Sequence, residues 1–254
     1  MNNLFKIFQL FLRLFGIKKP KQQLSKKTIK EVVDEAIEEA TEKPTYKQKY
    51  LWCLDNGHGK LQDGKRSALF EYEGKEIQFF EWEFNRDIVV RIVKQLKELG
   101  IAYFEVAPYP REMSSDLSYR VQRTKQVETD LKKVFLSIHA NGWTPNKKIK
   151  WSNVSGIETW IGGNTKRFSS YYFAKTFNST IVRATGWKDR GVKRTVDYDI
   201  VIRVLDKADC IAVLTENGFF TNKDQVKELM KDSVRQKIAN AHVAAIMEIE
   251  GVFR

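Results

Sequence analysis

Three polar residues stand just past three short apolar runs. His58 follows Leu51–Asp55 in Asp55-Asn56-Gly57-His58-Gly59, His139 follows Val134–Ile138 in Ser137-Ile138-His139-Ala140-Asn141, and Glu216 follows Ile211–Thr215. The chain has only three histidines, His58, His139 and His242, so two in like positions carry information. A single histidine at a strand end is ordinarily a satisfied structural residue. Two, joined by a glutamate in the same position, point to a shared site. Two histidines and one carboxylate are the ligand set of a catalytic zinc centre that keeps its fourth position for water. The carboxylate has five candidates between the first two motifs: Glu71, Glu73, Glu76, Glu81 and Glu83. Helical phase separates the last two. Glu81 shares a face with Phe84, Asn85 and Ile88, the face that packs inward, whereas Glu83 shares its face with Asp87 and Arg91 and looks solvated. Glu81 is the better ligand.

Residues so placed need a scaffold that brings strand ends together. From Gln48 onward, strand-like and helix-like stretches alternate, which predicts an α/β fold. Strands are expected at Leu51–Asp55, Ile101–Val106, Val134–Ile138, Ile157–Ile161 and Ile211–Thr215. Helices are expected at Glu81–Leu99, stopped by Gly100, and at Leu117–Thr129, Ser169–Ala184 and Lys223–Ile249. The architecture this implies is a single mixed, mainly parallel sheet flanked by helices, with an N-terminal helical extension. In open α/β sheets the carboxyl ends of the strands line the ligand crevice, so His58, His139 and Glu216 can converge there. Strand alternation leaves Glu158 facing either crevice or solvent. His242, among Ala241, Val243 and Ala244, reads as an ordinary core or surface histidine.

The chain has 254 residues, 44 Lys+Arg against 32 Asp+Glu, and a formal net charge of +12. That balance predicts a polyanionic partner without choosing among nucleic acid, anionic lipid and cell-wall polymer. A hydrophobic share of 42% excludes a disordered chain, and no uncharged apolar run is long enough to span a bilayer. Two cysteines, Cys53 and Cys210, are too few for a disulfide scaffold, and both lie in apolar stretches that predict buried, inert thiols. Residues 1–19 carry a narrow polar stripe of Asn2, Lys6, Gln9, Arg13 and Gly16 on an otherwise apolar helix. Leu4 to Ile17 would be roughly 21 Å long, too short for a bilayer core of roughly 30 Å. An interfacial helix on a membrane surface, aided by Lys18, Lys19 and Lys21, is one reading. A helix that packs or self-associates, and an atypical signal, are the others. Residues 20–47 read as a helical spacer opened by the capping box Thr28-Ile29-Lys30-Glu31 and ended by Pro44. Residues 48–254 form the expected catalytic domain.

Four motifs occur in a telling order: Asp55-Asn56-Gly57-His58-Gly59, Glu81-x-x-x-Asn85, Ser137-Ile138-His139-Ala140-Asn141, and Leu214-Thr215-Glu216-Asn217-Gly218-Phe219-Phe220-Thr221-Asn222. In this order the chain resembles the zinc-dependent N-acetylmuramoyl-L-alanine amidases of bacterial autolysins and phage endolysins, over roughly Gln48 to Gly251. The resemblance implies that His58, Glu81 and His139 hold Zn2+ and that Glu216 is the catalytic glutamate. Arg190, in Arg190-Gly191-Val192-Lys193, resembles a family segment near the site, which suggests a substrate contact beside the plainer reading of a surface charge. Asn56 stands where the family usually has Pro, Lys60 where a second Gly is common, and Asn217 where a small or apolar residue is more usual. The stretch between His58 and Glu81 is also longer than usual. The implied reaction is hydrolysis of the amide between N-acetylmuramic acid and L-alanine, with Glu216 as general base and peptidoglycan as partner, at the cell wall. Two other readings share these residues: a basic wall- or membrane-binding protein on the same fold, and a zinc peptidase cutting within the stem peptide. No nucleic-acid motif appears, so a nucleic-acid partner is not expected.

Overall fold

The apolar run Leu51–Leu54 is buried on both faces, as the centre of a parallel sheet requires, and forms most of strand β1 (Tyr50–Asn56). The computed structural model describes residues 47–60, 62–108, 116–143, 149–163 and 167–252. The readings for residues 1–19 and almost all of 20–47 lie outside them. Lys49–Arg254 form one compact unit.

After β1 come a hairpin of β2 (Phe70–Tyr72) and β3 (Lys75–Ile77), helix α1 (Glu81–Leu99), β4 (Tyr103–Glu105), α2 (Leu117–Gln126) and β5 (Lys132–Asn141). β6 (Ile157–Ile161), α3 (Arg167–Thr185), β7 (Asp189–Arg194), α4 (Arg203–Asp206), β8 (Ile211–Phe219), α5 (Lys223–Met230) and α6 (Asp232–Glu250) complete the order. Six strands make one sheet in the order β4-β1-β5-β8-β6-β7. β4, β1, β5 and β8 run parallel, β6 runs antiparallel to β8, and β7 runs parallel to β6. The sheet is therefore mixed and mainly parallel, as expected.

Strand alternation divides the residues between two faces. One face carries Cys53, Phe135, Ala212 and Leu214 against Val121 of α2 and Val204 and Leu205 of α4. The other carries Trp52, stacked on Phe173 and edge-on to Phe177 of α3, under the layer of α1, α3 and α6. Asp55, Ser137, His139 and Glu216 continue the first face toward the carboxyl ends of the parallel strands.

Sequence and structure part in definite places. α1 spans the expected residues, and Gly100 closes it at φ 70, donating to the carbonyls of Leu96 and Lys97. β5 and β8 run several residues beyond their apolar cores, so His139 and Glu216 sit inside strands rather than after them. The ladder continues because its polar residues find partners: Asn217 Nδ2 donates to the carbonyl of His139. The expected closing helix is two helices, broken at Lys231, whose backbone is extended (φ −70, ψ 128). α2 stops at Gln126, before the expected Thr129, and β4 is shorter than expected. The hairpin, β7 and α4 carry too few apolar positions to announce themselves; β7 reads Asp-Arg-Gly-Val-Lys-Arg.

Candidate metal centre

The three candidate ligands come from three kinds of backbone. His58 lies two residues past β1 in the left-handed region, at φ 65, a conformation uncommon for a side-chain-bearing residue although histidine adopts it more readily than most. Its ring Nδ1 pairs with Gln62 Oε1 at 2.7 Å. Asn85 Nδ2 donates to the carbonyl of Gly57 (2.9 Å), tying the same loop to α1. Glu81 is the first residue of α1, where the helix dipole favours a carboxylate, and its N–H donates to the carbonyl of Lys65. His139 comes from β5, and Gly57 must lack a side chain because an added Cβ would stand 2.1 Å from the His139 ring.

The side chains then converge. Glu81 Oε1 lies 3.2 Å from His58 Nε2 and 3.0 Å from His139 Nδ1. The two imidazoles meet edge to face with centroids 4.7 Å apart. One nitrogen or oxygen from each of His58, Glu81 and His139 falls within 4.8 Å of the others. Glu81 Oε2 is buried with no hydrogen-bond partner, an arrangement that costs free energy unless a cation satisfies it. Burial works to raise the Glu81 pKa, but the neighbouring His58 and His139 outweigh it, so the carboxyl sits well below its usual range. Burial lowers the pKa of His139, against the pull of Glu81, which favours the neutral ring a metal needs. Two imidazoles and a carboxylate, converging with an unsatisfied oxygen, fit a zinc ion.

Glu216 is the register partner of His139 across β5 and β8, and of Glu158 across β8 and β6. It is half-buried, and its Oε2 has no hydrogen-bond partner. Burial, with the neighbouring Glu81 and Glu158 carboxylates, pushes its pKa well above the usual range, while Lys65 pulls the other way. Glu158 faces the crevice, not solvent: it is 4% exposed, and its Oε1 accepts from Asn141 Nδ2 and Trp160 Nε1. Arg190 is not a loose surface charge. Its Nε donates to Glu158 Oε2 at 2.7 Å, and its guanidinium lies 5.0 Å above the Phe219 ring.

The other carboxylate candidates stay outside. Glu71, Glu73 and Glu76 are exposed on the β2–β3 hairpin, and Glu83 is exposed on α1. His242 is a core histidine, paired with Thr215 Oγ1 and the carbonyl of Ile238, and burial pushes its pKa down to about 4. Burial pushes the Cys53 and Cys210 thiols up to about 12 and about 11, so both are inert. The sequence assigned no role to Gln62, Ser137 or Arg120. Ser137 had a signal in its spacing of two from His139, whereas Arg120 sits in a polar helix with nothing to distinguish it.

The sheet order and the buried His/Glu/His cluster at its carboxyl edge define an α/β domain built around a candidate metal site. The N-acetylmuramoyl-L-alanine amidase family model matches residues 53–248, and the chain belongs to that family. An endolysin of Bacillus phage SPP1 is 33% identical over 206 residues, 79% of this chain and 66% of its own length. The catalytic domain of CwlV, an N-acetylmuramoyl-L-alanine amidase from Bacillus (Paenibacillus) polymyxa var. colistinus, superposes with a TM-score of 0.60 at 24% identity. That match covers 81% of this chain and 99% of that domain. The CwlD amidase of Clostridioides difficile, solved with the GerS lipoprotein, gives 0.61 at 20% identity, covering 81% of this chain and 100% of its own. Below 25% identity these two likenesses speak to the fold.

Proposed function

We propose that this chain is a zinc-dependent amidase that hydrolyses the bond between N-acetylmuramic acid and L-alanine in peptidoglycan, as an endolysin or autolysin. The observation that carries the reading is the convergence of His58, Glu81 and His139 with Glu216 one strand away on the same face. His58, Glu81 and His139 would hold the ion. When bound, zinc polarises the scissile carbonyl and acidifies water toward a pKa of about 7. The remaining work falls to side chains. Glu216, with Oε2 free of protein partners, takes a proton from the attacking water and returns it to the departing amine of L-alanine. Arg190 has its Nε fixed by Glu158, and its guanidinium would steady the developing oxyanion.

The net charge of +12 suits a polyanionic wall, and residues 1–19 suit attachment to a membrane surface. Among the described residues no helix is long and apolar enough to cross a membrane. Mass spectrometry of purified peptidoglycan, digested by the zinc-loaded protein beside Glu216→Ala, tests the reading. Peptides beginning with L-alanine, together with peptide-free glycan, are expected from the wild type only. Cleavage inside the stem peptide would replace the amidase with a zinc peptidase. Zinc binding and wall binding without products would make the chain a binding protein.

A further inference from the structure

Behind the three ligands lies a buried chain of hydrogen bonds that reaches two of them. Arg120, 1% exposed on α2, donates through Nη1 to Asp55 Oδ1 and to the carbonyl of Asn56 (2.9 Å). Its Nη2 donates to the carbonyl of His58 (2.7 Å). Asp55 Oδ2 accepts from Ser137 Oγ (2.6 Å), and Ser137 Oγ stands 3.1 Å from His139 Nε2. Proton counting then fixes a direction. Both Asp55 oxygens accept, Oδ1 from Arg120 and Oδ2 from Ser137, so the single hydroxyl proton of Ser137 goes to Asp55. The Ser137 oxygen is left as an acceptor, and His139 must supply the proton from Nε2. A neutral imidazole protonated at Nε2 has its lone pair on Nδ1, the atom that faces Glu81. On the other side, Gln62 Oε1 accepts from His58 Nδ1 and turns the Nε2 lone pair toward the same carboxylate.

We infer that Arg120, Asp55 and Ser137 are positioning residues for the metal centre: the Asp55–Ser137 pair sets the tautomer of His139, and Arg120 joins that pair to the left-handed backbone of His58. One guanidinium therefore governs the presentation of two ligands, one in the loop after β1 and one on β5. The inference deepens the proposed function and rests on its metal site. Ligand-orienting groups of this kind ordinarily change metal affinity 10–100-fold when removed. Without the Ser137 oxygen, the imidazole proton has no acceptor at Nε2 and a good one at Nδ1, in Glu81. The proton then occupies the position that the metal needs.

The test uses the full-length protein labelled with 15N-histidine and freed of metal, at pH 8, with long-range 1H–15N correlation spectra that report which ring nitrogen carries a proton. Wild type is expected to show His139 protonated at Nε2. Ser137→Ala, which removes one buried oxygen, is expected to move the proton to Nδ1 and to weaken zinc roughly 10–100-fold in chelator competition. Asp55→Asn should do the same, because an amide N–H donating to Ser137 reverses the hydroxyl. Arg120→Lys keeps the charge but loses the fork, and should weaken zinc while leaving the Ser137→Ala pattern distinct. Far-UV circular dichroism of each metal-free variant separates lost positioning from lost folding. A wild-type His139 without a proton on Nε2 would overturn the inference. So would a folded Ser137→Ala protein that keeps the tautomer and binds zinc within twofold of wild type. If wild type shows the expected tautomer and binds zinc yet releases no L-alanine peptides, the amidase reading falls while the positioning role stands.

Discussion

Glu216 and the three metal-site residues make opposite demands on their surroundings. The ligands need lone pairs facing inward and protons kept away, while Glu216 needs to accept a proton and hold it. Burial and two nearby carboxylates raise its pKa above the usual range, which makes it a stronger base. Glu216→Gln is therefore expected to lower turnover by about 10²–10⁴-fold, with zinc affinity within a few-fold of wild type by calorimetric titration. An active Glu216→Gln protein would remove Glu216 from the proton path. His139→Ala has the reverse signature: zinc binding lost together with activity, and no recovery of hydrolysis when excess zinc is added back after chelation. Wild type treated with the same chelator should regain activity on zinc addition. At this scale the sequence was largely readable. His58, His139 and Glu216 shared one position relative to three apolar runs, and helical phase was enough to prefer Glu81 to Glu83. The partners behind them were not readable, because Arg120 reaches Asp55 across 65 positions and no local spacing encodes that meeting.

Elements were legible where one face is apolar and the end is marked. α1 has Phe84, Ile88, Ile92 and Leu96 on its buried face and Gly100 at its end, so both its phase and its stop could be read. β7 has neither mark, and its polar residues leave a strand whose existence depends on pairing with β6. The break at Lys231 was hidden for a similar reason, since no Pro or Gly announces it and Asp232 simply restarts the helix. The join between β8 and α6 yields a pH prediction. His242 is fully buried, its ring against Phe177, with Thr215 Oγ1 and the Ile238 carbonyl as its hydrogen-bond partners. Burial holds its pKa at about 4, against 6.5 for an exposed histidine. Between those values the unfolded chain binds the proton and the folded chain does not. The contribution of the neutral ring is complete above about pH 6.5 and is lost as pH falls toward 4, reaching about 3 kcal/mol. Urea unfolding from pH 7.5 to 4.5 should show this slope in wild type and a shallower one in His242→Gln. Equal slopes would mean that other groups control the acid side.

At the scale of the whole molecule, the edge of the folded unit can be placed by chemistry. Lys49 is held at the far end of the chain: its N–H donates to Glu250 Oε2 (3.0 Å) and its Nζ to the Glu250 carbonyl (2.7 Å). Trp52 Nε1 donates to Glu250 Oε1 (2.9 Å), so one buried carboxylate at the end of α6 closes onto the start of β1. A protein starting at residue 48 keeps all three bonds. It is expected to melt within about 2 °C of full length, to bind zinc equally and to hydrolyse solubilised peptidoglycan at an unchanged rate. Starting at residue 51 removes Lys49 with its two bonds to Glu250 and cuts the first residue, Tyr50, from β1. Each partly buried hydrogen bond lost in this way costs about 0.5–1.5 kcal/mol, enough to lower the midpoint by a few degrees in a domain of this size. Most of the net charge of +12 belongs to residues 48–254, so the shorter protein should still bind walls in a salt-sensitive manner. What it should lose is association with anionic lipid vesicles, measured by flotation, because the sequence of residues 1–19 reads as a helix with an apolar face suited to a bilayer surface. Retained flotation without residues 1–47 would move lipid binding onto the basic surface of the catalytic unit and leave the N-terminal stripe to self-association.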